Sequence, residues 1–134
     1  MTHRGGPNFF TLNVVINLEQ YELLKAITFL ERCSMASVAR EVLSTFLERE
    51  SSKELTWQTR FQRKVDTKRP RALYIRVPNE HREALRIIAA HEHRSQSDVM
   101  REALQDYLNE YTERKGHPQT LIKAELEKLG FAKI

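Results

Sequence analysis

The side chains in this sequence best suited to chemistry are recognition groups, not reactive ones. In "TLNVVI" (residues 11–16) and "ALYIRV" (residues 72–77), apolar residues alternate with Thr11, Asn13 and Val15 and with Ala72, Tyr74 and Arg76. Alternate residues of a strand project to opposite faces, so one face carries an amide, two hydroxyls and a guanidinium. Arg76 offers forked N–H donors that bridge two acceptors, and Asn13 offers one donor beside one acceptor. Groups of this kind read hydrogen-bonding patterns. Catalytic patterns are missing: there is no phosphate-binding glycine loop, no HExxH and no nucleophile elbow. The chain is expected not to be an enzyme and to use no cofactor. His81, His91 and His93 invite a metal reading, but residues two apart on a helix diverge and no cysteine joins them, so no metal site is expected.

The elements that must position these groups pose a problem. A strand over 11–16 runs straight into a helical pattern marked by Leu24 and Ile27, with no neighbouring strand to satisfy its backbone. Sliding the sequence against itself by 61 positions supplies the partner. Residues 12–47 then fall on 73–108 without a gap and 12 of the 36 pairs are identical, among them Leu24/Leu85, Ser34/Ser95, Arg40/Arg101 and Leu47/Leu108. Each copy reads as a short strand, a helix (about 18–32 and 78–93), a tight break and a second helix (about 35–50 and 96–113). Ser95 with Asp98 has the form of a capping box, and Ser34 caps more weakly. Pro78 fits the first turn of a helix, a place Asn17 takes in the first copy.

A unit of about 40 residues is too small to be stable alone. Antiparallel pairing of the two strands satisfies their ladders and points both apolar faces at one core of four helices. The predicted fold class is mainly α with a two-stranded antiparallel ribbon. Residues 1–10 form an arm, 11–50 the first unit, 51–70 a basic linker, 71–113 the second unit and 114–134 a tail. Within the linker, Ser51 with Glu54, then Leu55, Trp57, Phe61 and Val65, predicts a short helix with an apolar side. In the tail, Leu121, Ile122, Ala124, Leu126 and Leu129 predict another, stopped at Gly130. It either docks on the core or serves as a partner-binding tail.

Composition sets the outer bounds. With 134 residues, 40% hydrophobic and 30% charged, the chain suits one compact domain or two very small ones. No apolar run approaches the roughly 18 residues of a membrane span, and the first ten residues lack the apolar stretch of a signal peptide. A soluble, cytoplasmic protein is expected. Cys33 stands alone and makes no internal disulfide. The net charge of +4 is unevenly spread: residues 51–71 carry +5 and 114–134 carry +3, while 11–50 carry −2 and 72–113 carry −3. Basic connecting segments suit an anionic polymer partner.

The doubled order of strand, helix, Ser-capped turn and helix resembles the ribbon-helix-helix (MetJ/Arc) family of DNA-binding proteins. The clearest stretch is "RALYIRVPNEHREALRIIAAHEHRSQSDVMREALQDYL", residues 71–108. The resemblance covers residues 11–50 and 71–111, and implies a tandem form carrying both halves of a usual homodimer in one chain. It implies double-stranded DNA as partner, with the ribbon in the major groove and Thr11, Asn13, Val15, Ala72, Tyr74 and Arg76 at base edges. It also implies phosphate contacts from the turns at Ser34, Met35, Ala36 and at Ser95, Gln96, Ser97, where helix amides point outward. Arg69 and Arg71, other linker bases and Arg4 of the arm would add salt-sensitive affinity.

Two departures from the family matter. Arg32 and His93 stand where members place glycine, at a cost of about 1 kcal/mol each if the backbone there is left-handed. The two ribbon faces also differ, so each half-site should have its own sequence. The leading expectation is a bacterial, plasmid or phage transcriptional repressor reading an asymmetric site, with self-association on longer operators left open. The alternatives are an accessory protein of a conjugative relaxosome at an origin of transfer, partnered by a relaxase, and an antitoxin-like protein whose C-terminal helix occupies a toxin.

Overall fold

The computed structural model describes residues 9–51 and 64–131. Alternating burial marks two strands, β1 (Phe9–Ile16) and β2 (Arg71–Pro78), which pair antiparallel with Leu12 opposite Ile75 and Val14 opposite Leu73. Each strand leads into two helices: α1 (Leu18–Glu31) and α2 (Met35–Ser51) after β1, and α3 (Asn79–His91) and α4 (Gln96–Lys115) after β2. A last helix, α5 (Pro118–Lys128), closes the order. The chain is therefore mainly helical with one two-stranded antiparallel sheet. Among the described residues no helix is long and apolar enough to cross a membrane.

One face of the ribbon is the floor of the core. Leu12, Val14 and Ile16 of β1 and Leu73, Ile75 and Val77 of β2 are buried together with Leu24 and Ile27 of α1, Leu43 of α2, Leu85 of α3 and Met100 and Leu104 of α4. Neither half holds this core alone, because both strands and all four of these helices contribute to it. The fully buried amide side chain of Gln20 donates to the Arg101 carbonyl (3.0 Å) and to Gln105 (3.2 Å), so its burial leaves no donor stranded. Arg94 likewise lies between Glu102 (2.6 Å) and Glu92 (3.1 Å), a mostly buried guanidinium held by two carboxylates.

The helix boundaries follow from local chemistry. Ser95 and Asp98 form the expected capping box on α4, and Ser34 accepts from the Ser37 amide at 3.0 Å. Asn17 caps α1 through a second box with Gln20, and its side-chain amide also donates to the Asp66 carbonyl at 2.7 Å. Pro78 is not in the first turn of α3 as expected. It ends β2 and serves as the N-cap, with φ −59° and ψ 149°, because the strand pairing runs one residue further than the alternating apolar pattern. Both helix breaks are left-handed: Arg32 and His93 each have φ 55°. The amides of Cys33 and Arg94 then reach back to the Thr28 and Ala89 carbonyls (3.1 and 3.0 Å), the same closure 61 positions apart.

Two boundaries move clearly. β1 begins at Phe9, before the expected 11, and α4 continues to Lys115, past the expected 113, until Gly116 at φ 112° ends it. The tail helix docks: α5 packs along α1, with Leu121 against the core. The expected linker helix from Ser51 to Val65 lies outside the described residues except at its ends, where Ser51 closes α2 and Val65 is in no helix; Arg4 of the arm also lies outside them.

Candidate nucleic-acid interface

Because Leu12, Val14 and Ile16 face the core, the intervening residues face away from it. Thr11, Asn13, Ala72, Tyr74 and Arg76 are exposed and Val15 is half-buried. The register sets Thr11 opposite Arg76, Asn13 opposite Tyr74 and Val15 opposite Ala72, so the six predicted recognition residues form three cross-strand pairs on one surface. Directly opposite residues of such pairs lie about 4.5–5.5 Å apart, so each pair forms one patch of this surface. Tyr74 is 64% exposed and projects from the middle of this face.

The extended strand adds a residue that the sequence reading missed. Phe9, 47% exposed, continues the outward series, and the Arg76 guanidinium carbon lies 5.8 Å from its ring centre. That contact restrains the arginine beside an aromatic face. The signal was present in the alternation of "FFTL", since Phe10 shares the parity of Leu12. Phe10 itself is 38% exposed and covered by the Arg82 guanidinium at 4.2 Å.

The start of each second helix flanks one edge of the ribbon. The Val15 N–H donates to Ser97 Oγ at 2.9 Å, and Arg101 Nη1 donates to the Val15 carbonyl at 2.6 Å. Arg101 also bonds Asp98, and its side chain is 8% exposed. On the other edge Arg40 Nη1 donates to the Arg76 carbonyl at 3.4 Å, in an exposed setting. Arg40 and Arg101 are repeat equivalents, as are Val15 and Arg76. Each second helix therefore reaches across to the strand of the other unit.

The Ser97 hydroxyl accepts from the ribbon backbone, whereas the phosphate expectation at this turn rests on the amides near Gln96 and Ser97. Ser34 and Ser95 side chains are occupied as caps. What remains at these turns is backbone: Met35 and Ala36 open α2 and Gln96 and Ser97 open α4, where first-turn amides lack intrahelical acceptors. Arg69 and Arg71 are exposed beside the start of β2, and Arg71 donates to the Pro70 carbonyl at 3.1 Å. The expected base-reading face and the expected phosphate turns thus come together in space, although 60 or more residues separate the two units in sequence.

Among the described residues no group of three or more His, Cys, Asp or Glu side chains is placed to hold a metal ion. Compared with protein-family models, curated proteins and solved structures, the chain matches none.

Proposed function

We propose that this chain is a tandem ribbon-helix-helix protein that binds double-stranded DNA in a sequence-specific manner, inserting the outer face of the β1–β2 ribbon into the major groove, and that it represses transcription from an asymmetric site. The observation that carries this reading is the division of the ribbon into a fully apolar inner face and an outer face bearing Asn13, Arg76, Thr11 and Tyr74. A major groove about 12 Å wide admits a two-stranded ribbon. Arg76 suits the two acceptors of a guanine edge, Asn13 the donor and acceptor of adenine, and Thr11 or Val15 a thymine methyl. The first turns of α2 and α4 flank the ribbon, where their amides and helix dipoles favour phosphate.

The test is selection of bound sequences from a random duplex pool at stated salt, followed by titration of the selected site. Specific binding with an enriched, asymmetric sequence is expected, and affinity should fall as salt rises. Retention of all sequences alike, or no binding at low salt, would overturn the reading.

A further inference from the structure

α5 lies along α1, and the two helices leave an open groove of about 1280 Å³ whose apolar lining includes Phe29 and Leu30 of α1, Ile122 and Leu126 of α5, and the α5 cap Leu129. The end of α5 is folded back. The Phe131 N–H donates to the Leu126 carbonyl at 3.0 Å and the Gly130 N–H to the Glu127 carbonyl at 2.9 Å, with Gly130 at φ 84°. That closure sets Phe131 next to Leu126. Phe29 is 65% exposed and Phe131 77%, and Leu126 and Leu129 are exposed beside them. Among the described residues these four leave roughly 400–500 Å² of apolar surface in water, as much as the largest apolar patch of an ordinary monomer. Core formation does not explain Phe29. Its repeat equivalent on α3 is Ala90, also exposed, so the repeated unit folds without an aromatic ring at that place.

We infer that this α1–α5 face docks a second copy of the same chain about a two-fold axis. The face is self-complementary in shape: it holds a hollow, the groove, beside the projecting Phe29, Leu129 and Phe131, as a contact between identical patches requires. It is self-complementary in charge as well. Lys115 pairs with Glu31 at 2.9 Å and Lys128 with Glu125 at 3.1 Å, and Arg32 adds one further positive charge, so both signs stand on one rim. A copy related by the two-fold axis therefore meets no field of its own sign. An antiparallel crossing of two α5 helices sets Leu126 of each copy against Leu129 of the other and brings Glu125 within reach of Lys128 across the contact. A nucleic acid is disfavoured here, because it needs a basic face. Two such faces bury roughly 1,000 Å² in all, at the low end for specific contacts, so the association is reversible. The contact is independent of the DNA-binding reading.

The test is sedimentation of the full-length protein without DNA, from sub-micromolar to high-micromolar concentration. The mass should rise from one chain to two and stop there. Phe29→Ala, which gives α1 the residue of its α3 counterpart, should weaken the association about tenfold or more, and Leu129→Glu should leave a single chain throughout, both with helical content unchanged. Glu125→Lys should weaken it too, and adding Lys128→Glu should restore it, which loss of an apolar contact alone would not do. A single chain at every concentration would overturn the inference, as would growth beyond two chains. A dimer that Phe29→Ala and Leu129→Glu leave intact would place the contact on another face and overturn it equally.

Discussion

Asn13 lies directly across the ribbon from Tyr74, the residue 61 positions after it, so each holds the same place in its own unit. The register is centred on that pair. A slip by one residue would turn Leu73, Ile75 and Val77 toward water, which ties the centring to core burial. The backbone is thus arranged evenly about Asn13 and Tyr74 while the side chains around them are not: Arg76 is the counterpart of Val15, and Ala72 of Thr11.

From that asymmetry, selected DNA sites should consist of two unlike halves. Arg76→Ala should flatten base preference at one position and weaken specific binding by about 1–3 kcal/mol, measured by repeating the selection and titrating the preferred duplex. Sites returned as perfect inverted repeats would contradict it.

The two cross-bracing arginines should differ in weight. Arg101 is almost buried, bonds Asp98 and the Val15 carbonyl, and its removal strands that carbonyl; Arg101→Ala should cost about 1–3 kcal/mol of stability in denaturant unfolding. Arg40 makes a longer, exposed bond to the Arg76 carbonyl, and Arg40→Ala should cost no more than about 1 kcal/mol. Equal losses would mean that the Val15 edge is not the one held more firmly.

Arg32 and His93 take a backbone conformation that side chains disfavour. Arg32→Gly and His93→Gly should each stabilise the fold by about 1 kcal/mol, read as a higher unfolding midpoint, with the double substitution close to additive because the sites are repeat equivalents on separate helix breaks.

Acid should loosen the seam between α1 and α4. The Tyr111 hydroxyl donates to Glu31 Oε2 at 2.7 Å, and Lys115 Nζ donates to the same oxygen at 2.9 Å. The bond from Tyr111, then that from Lys115, holds the Glu31 carboxyl below its usual range. Its contribution is therefore full above the unfolded carboxylate value, about 4.3, and is lost as pH falls through the lower folded value. Burial first, and the bond to Glu31 second, push the Tyr111 phenol up, so its own contribution is full below about pH 10 and fades as pH rises through the folded value. Tyr111→Phe should cost about 1 kcal/mol near neutral pH. The gap between the two proteins should narrow below about pH 4, which urea unfolding across pH would show.

Residue pattern alone determined the doubled unit, the inward set from Leu12 to Val77 and the outward set from Thr11 to Arg76, while the left-handed conformation at Arg32 and His93 shows only in the structure. The unit and its two faces follow from strand and helix periods and from cap chemistry, all local in sequence. Tertiary structure decided the rest: that Phe9 stands beside Arg76, that Ser97 and Arg101 turn to the Val15 backbone, and that α5 lies on α1 while the matching face of α3 carries no helix among the described residues. Those outcomes depend on which apolar and hydrogen-bonding groups meet from opposite ends of the chain. Ser97 is 82 positions from Val15, and a period tells which face of an element is buried without telling what covers it.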